Sequence, residues 1–196
     1  MMSDLRFAMI CASNVNRSVA AHALLKEHGF DVESFGVGNS VKLPGLTVQQ
    51  PNRYDFDATT YEEIYNDLKQ KDESFYTSNG LLDMMQRDMG VKPRPQRWQN
   101  RTDKDGLFDV IVTFEKRVMD IVIADLQSKN GVHPCAVINM EVKDSASEAQ
   151  VAAPHALKLC TMIADVGEDW EEEIDSILSK FSDETTREMS YDVCYL

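Results

Sequence analysis

Residues 11–18 read Cys-Ala-Ser-Asn-Val-Asn-Arg-Ser, a cysteine, five residues, then an arginine and a hydroxyl side chain. Those types at that spacing suit the transfer of a phosphoryl group to sulfur. A thiol attacks phosphorus only as the thiolate, and a free cysteine is mostly protonated at neutral pH. At a strand end just before a helix, inward-pointing N–H groups and the helix dipole both favour negative charge. The same N–H groups cradle the non-bridging oxygens of a phosphate, so Ala12, Ser13, Asn14, Val15, Asn16 and Ser18 are candidate phosphate-binding positions. Arg17 carries a planar fork that grips two oxygens at once, a geometry lysine cannot copy. Ser18 can donate a hydroxyl to the Cys11 sulfur. Asn14 and Asn16 suit a tight loop, because asparagine tolerates a left-handed backbone.

Such a loop needs a strand before it and a helix after it. Leu5–Ile10 is an apolar run of strand length, and Arg17–His28 has helical spacing with a stop at Gly29. The alternation continues with strands Asp31–Gly36, Asp109–Phe114 and Cys135–Met140, and helices Glu115–Leu126, Ser147–Ala164 and Glu168–Phe181. Pro154 marks a break or a late start in Ser147–Ala164. This rhythm predicts an α/β fold, a doubly wound central parallel sheet flanked by helices, with ligands at the carboxyl ends of strands. Residues 38–106 interrupt it. Gly38–Thr60 reads as irregular, Thr60–Lys71 and Gly80–Met89 as helices, the second stopped by Gly90. A long insertion beside a reactive loop predicts a substrate-binding cap within a single domain spanning 1–196.

A leaving oxygen needs a proton donor on a neighbouring loop. Asp144, just after the strand Cys135–Met140, is the best-placed acid by element order, with Glu141 as the fallback. The four histidines have no metal-ligand spacing, so chemistry without a metal or other cofactor is expected.

Composition narrows the partners. Net charge is −13, from 20 Lys and Arg against 33 Asp and Glu, which argues against direct nucleic-acid binding. The stretch Arg87–Lys104 nonetheless holds six bases against two acids and could attract an anionic peptide. No run of about 18 apolar residues exists to span a membrane, and Asp4 and Arg6 argue against a secretory leader. Cys11, Cys135, Cys160 and Cys194 are too scattered for a zinc site or disulfide framework, which suits a reducing cytosolic or nuclear compartment.

The loop resembles that of low-molecular-weight tyrosine phosphatases at Asn14, Arg17 and Ser18, but Asn16 stands where that family carries a second cysteine. Residues 11–18 are closer to the eukaryotic phosphatases of the RNA polymerase II C-terminal domain, which belong to the mRNA cleavage and polyadenylation machinery. The likeness extends to Val41-Lys42-Leu43-Pro44-Gly45, Tyr54-Asp55-Phe56, Tyr65-Asn66-Asp67-Leu68, Asn79-Gly80, Lys92-Pro93-Arg94-Pro95 and Val193-Cys194-Tyr195. The resemblance implies a low-molecular-weight-phosphatase-like fold. It implies hydrolysis of phosphoserine at the fifth heptad position of the polymerase tail, before a proline in the cis form, with a role in transcription termination and 3′-end processing. It further implies Cys11, Arg17 and Asp144 as the catalytic set and Lys42, Leu43, Pro44 and Met84 as the peptide groove. A symplekin-type scaffold partner and a nuclear location, with the cytoplasm as a second location, follow from it too. The chain departs from that family at Val15, Val19-Ala20, Phe114, Lys116 and Gln150–Lys158. From the residues alone, a tyrosine phosphatase, an arsenate reductase and a phosphopeptide-binding module remain as alternatives, although arsenate reduction lacks the relay cysteines it needs.

Overall fold

The strand that delivers Cys11 is buried on both faces from Phe7 onward. A strand apolar on both sides needs cover on both sides, and a parallel sheet between two helix layers supplies it. The computed structural model describes residues 5–129 and 131–196; Asp4, invoked above against a leader, lies outside them. In chain order the elements are β1 (Arg6–Cys11), α1 (Arg17–Glu27), β2 (Asp31–Gly36), β3 (Val41–Thr47), β4 (Gln50–Tyr54), α2 (Tyr61–Ser78), α3 (Leu81–Val91), β5 (Val110–Thr113), α4 (Lys116–Lys129), β6 (Pro134–Met140), α5 (Ala146–Val166), α6 (Trp170–Thr185) and β7 (Met189–Tyr195).

The main sheet has the order β2-β1-β5-β6-β7, parallel except for β7, which runs antiparallel to β6. The chain goes outward from β1 to β2 and then returns to β5 on the other side, so a topological switch point lies between β1 and β5. Ligands of open α/β sheets bind outside such a point, and Cys11 ends β1 there. One face packs against α1, α5 and α6. On α6, Trp170, Ile174, Ile177, Leu178 and Phe181 are buried on one stripe, each contributing about 1.5–3 kcal/mol. The other face packs against α4 together with Trp98 and Phe108.

Three expectations are corrected. Gly38–Thr60 is not irregular, for β3 and β4 form an antiparallel hairpin within it. Its Pro44, Gly45 and Pro51 read as breakers, but a two-stranded ribbon has outer edges that need no donors. Gly45 is required, since a Cβ there would sit 1.7 Å from the Gln50 carbonyl oxygen. Second, α3 runs through Gly90 and ends at Lys92, whose extended backbone precedes Pro93. Third, α5 continues through Pro154, which lies on its exposed side where water can satisfy the freed carbonyl. The C-terminal strand β7 is an addition to the elements read from the sequence. The helix expected over Thr60–Lys71 extends to Ser78, but a kink at Asp72 separates two segments. The Asp72 carboxylate accepts from Phe75 N at 2.9 Å and so caps the second segment.

No helix among the described residues is long and apolar enough to cross a membrane.

Candidate active site

The loop between β1 and α1 opens into a cavity of about 460 Å³ lined by Cys11, Ser13, Val15, Asn16, Asp144 and residues of the insertion. Cys11 is nearly buried, its Sγ 3.1 Å from Ser18 Oγ. Asn14 adopts the left-handed backbone anticipated for it, with φ 51°. Its side chain is fully engaged. Nδ2 donates to Ser18 Oγ at 3.2 Å and Ser34 Oγ at 3.0 Å, while Oδ1 accepts from Gln96 N at 2.9 Å. His22 Nδ1 lies 2.9 Å from the same Ser34 hydroxyl. Burial, then the Lys92 and Lys26 charges, depress His22 to about 3, so this buried ring is neutral at physiological pH.

Arg17 is 3% exposed and locked behind the loop. Nη1 donates to Val142 O at 2.8 Å and to Phe114 O at 3.3 Å, and Nη2 to Glu115 Oε2 at 3.0 Å. Its Nε has no hydrogen-bond partner, although Asp144 Oδ1 lies within ion-pair reach at 3.5 Å. A buried guanidinium N–H without an acceptor is an open seat for an anionic oxygen. Asp144 stands at the mouth, 61% exposed in its side chain, and accepts from Asn16 Nδ2 at 2.9 Å. Glu141, the fallback acid, is engaged elsewhere, accepting from Lys116 N at 3.0 Å and Asn139 Nδ2 at 3.1 Å.

The insertion forms the opposite wall. Ser13 Oγ accepts from Lys42 N at 3.2 Å and lies 3.3 Å from Lys42 O, which ties the hairpin to the loop. Lys42, Leu43, Pro44, Phe75, Asn79, Leu81 and Met84 line the cavity. Lys42 and Pro44 are exposed, Leu43 is buried and Met84 half-buried. Val15 is covered by this wall and packs with Val41, Leu43 and Tyr61, so its aliphatic side chain fits the interface it meets. Ala12 O accepts from Gly38 N at 3.0 Å. Among the described residues, no group of three or more His, Cys, Asp or Glu is disposed to hold a metal ion.

Sequence spacing did not reveal Ser34, Tyr61, Arg87, Gln96 or Glu115, all in contact with the loop or with Arg17. Only His22, one helical turn after Ser18, carried a local signal. Next to Arg87, Asp88 is unusual. It is fully buried, and its Oδ1 accepts from Arg87 Nε at 2.9 Å and Nη2 at 2.6 Å, while Oδ2 has no partner. Burial outweighs the Arg87 charge and pushes the carboxyl from 3.8 up to about 8. The folded chain therefore holds this proton where the unfolded chain releases it, and stability falls as pH rises between those values. Asp88→Asn removes the penalty. Its gain over wild type in thermal denaturation grows from pH 4 to pH 8, reaches a few kcal/mol, and levels off above. An equal gain at pH 5 and pH 8.5 would contradict the buried neutral acid.

Fold and loop together fit one class, the α/β protein phosphatases. Within it, the chain belongs to the Ssu72-like protein family, whose model matches residues 5–196. The RNA polymerase II C-terminal domain phosphatase SSU72 of Mus musculus is 46% identical over 195 residues, 98% of each chain. The Homo sapiens protein of that name is 45% identical over 195 residues, again 98% of each. Among solved structures, a complex of Drosophila melanogaster Ssu72 and symplekin matches with TM-score 0.92 and 38% identity, over 99% of this chain and 100% of that one. That complex is bound to a cis peptidomimetic of the C-terminal domain, phosphorylated on the fifth-position serine. The serine phosphatase of the polymerase C-terminal domain from the same organism matches with TM-score 0.93 and 39% identity, over 98% and 100%.

Proposed function

We propose that this chain dephosphorylates phosphoserine at the fifth heptad position of the RNA polymerase II C-terminal domain, with the following proline in the cis form. The observation that carries the reading is the buried Arg17 Nε without a hydrogen-bond acceptor, 3.5 Å from the carboxylate of Asp144, which lines the same cavity as Cys11. Full-length likeness to Ssu72 proteins, one of them solved with symplekin and a cis phosphoserine peptidomimetic, supports the substrate and a symplekin-type partner. By the same likeness we assign a nuclear role in transcription termination and 3′-end processing. The hairpin β3–β4 with α2 and α3 serves as the substrate cap of a single domain, Lys42, Leu43, Pro44 and Met84 facing the peptide.

The reaction runs in two steps. The Cys11 thiolate attacks phosphorus in line, the S–P bond forms, and the serine O–P bond breaks. Arg17 and the N–H groups of residues 12–18 hold the equatorial oxygens, and Asp144 protonates the departing serine oxygen. Ser18 stabilises the sulfur through its hydroxyl. Water then attacks phosphorus, Asp144 takes its proton, and the S–P bond breaks to release phosphate and the thiolate.

Asp144→Asn cannot give that proton. Expected is a fall of about 10²–10⁴-fold in kcat on a heptad peptide phosphorylated at the fifth-position serine. A much smaller fall is expected on p-nitrophenyl phosphate, whose leaving group departs without protonation. A peptide locked with a trans proline should not turn over. Full activity of Asp144→Asn on phosphoserine would refute the acid, and equal turnover of cis- and trans-locked peptides would refute the proline reading.

A further inference from the structure

A phosphate loop binds through its N–H groups, and a planar trans peptide sets each N–H opposite to the preceding carbonyl. Whatever anchors a loop carbonyl on the outside therefore aims the next N–H inward. Two of these anchors come from the insertion. Tyr61 Oη donates to Asn14 O at 2.6 Å, which aims the Val15 N–H. Arg87 Nη2 donates to Val15 O at 2.7 Å, which aims the Asn16 N–H, and lies 3.4 Å from Asn16 O. Tyr61 is fully buried, and that burial holds its phenol well above the usual range, so it remains a donor. Arg87 could swing away on its long stem, but Asp88 grips it by both Nε and Nη2. These residues lie 47 and 72 positions from the carbonyls they hold.

We infer that Tyr61 and Arg87, with Asp88 steering Arg87, are positioning residues that pre-set the donors of the phosphate loop from within the insertion. The insertion is then part of the anion site as well as its cover. This inference rests on the reading of residues 11–18 as a phosphate loop and adds the parts that hold it in the binding-competent shape. Without them the peptide units are free to rotate, and donors no longer converge before the anion arrives.

The test uses the full chain and tungstate, an inert tetrahedral oxyanion, measured by calorimetry. Tyr61→Phe keeps the ring and removes the donor. Arg87→Met keeps an apolar stem. Each is expected to weaken tungstate binding and lower kcat on p-nitrophenyl phosphate by about 10- to 100-fold. Each should also weaken the protection that tungstate gives Cys11 against alkylation by iodoacetamide at one fixed pH, a change that general destabilisation does not produce. Asp88→Leu should behave as Arg87→Met, and Asp88→Asn, which keeps an oxygen for Arg87, should restore binding. Folded Tyr61→Phe and Arg87→Met proteins with wild-type tungstate affinity and wild-type tungstate protection of Cys11 would overturn the inference. Asp88→Asn as impaired as Asp88→Leu would overturn the steering role. Wild type that binds tungstate but leaves the phosphopeptide intact would refute the proposed substrate and not the positioning residues.

Discussion

Cys11→Ser is expected to leave a folded protein that binds tungstate yet hydrolyses neither p-nitrophenyl phosphate nor the phosphoserine heptad peptide, with kcat down by at least about 10⁴-fold. The substitution changes one buried atom and keeps a hydrogen-bonding group beside Ser18, so the fold has no reason to respond. The chemistry does. A serine hydroxyl needs a base to become a nucleophile, and the group beside it is another hydroxyl, that of Ser18, whose oxygen lies 3.1 Å from the Cys11 sulfur. His22, neutral and buried, is separated from Cys11 by Ser34, Asn14 and Ser18 and cannot take the proton directly. Stopped assays with malachite green would measure residual phosphate release. Turnover within about a hundredfold of wild type would mean that sulfur is not the attacking atom.

Arg17→Lys is the second large effect, despite the retained charge. A lysine ammonium cannot reach Val142 O, Phe114 O and Glu115 together and still present an N–H to phosphate. Expected is a loss of about 10²–10³-fold in kcat/KM on p-nitrophenyl phosphate. A modest fall in Tm should accompany it, since buried carbonyls lose their donor at about 1–3 kcal/mol each. Arg17 also ties the segment that carries Asp144, two residues beyond Val142, to the back of the loop. The variant should therefore lose more on phosphoserine, which needs the acid, than on p-nitrophenyl phosphate. Equal losses on the two substrates would separate Arg17 from the acid-bearing segment.

The loop was legible because it is local. Cys11 to Ser18 is one continuous segment, and its types and spacing describe a loop whatever surrounds it. The buried parallel strands were equally legible, because an uninterrupted apolar run such as Val110–Thr113 has few alternatives. What escaped is what depends on distant partners. The hairpin β3–β4 hides behind prolines that a two-stranded ribbon tolerates. β7 alternates only loosely, and its place is set by its pairing with β6. Tyr61, Arg87 and Asp88 look like ordinary helix residues, and only the folded chain brings them against Asn14 and Val15. Asp72 reads as one more surface acid until the backbone turns there and uses it as a cap.

The antiparallel pairing of β7 with β6 bears on how the protein assembles. The two strands are joined by seven residue pairs, from Pro134–Tyr195 to Met140–Met189, yet all of α5 and α6 lies between them in the chain. Their contact closes a long loop, which slows folding more than it weakens the final state. Until it forms, β6 has an open edge and the segment that carries Asp144 hangs from an unfinished sheet. During synthesis β1, α1 and β2 therefore emerge first, the cysteine loop gains its outer anchors only when Tyr61 and Arg87 pack against it, and the segment that carries Asp144 settles last, with β7.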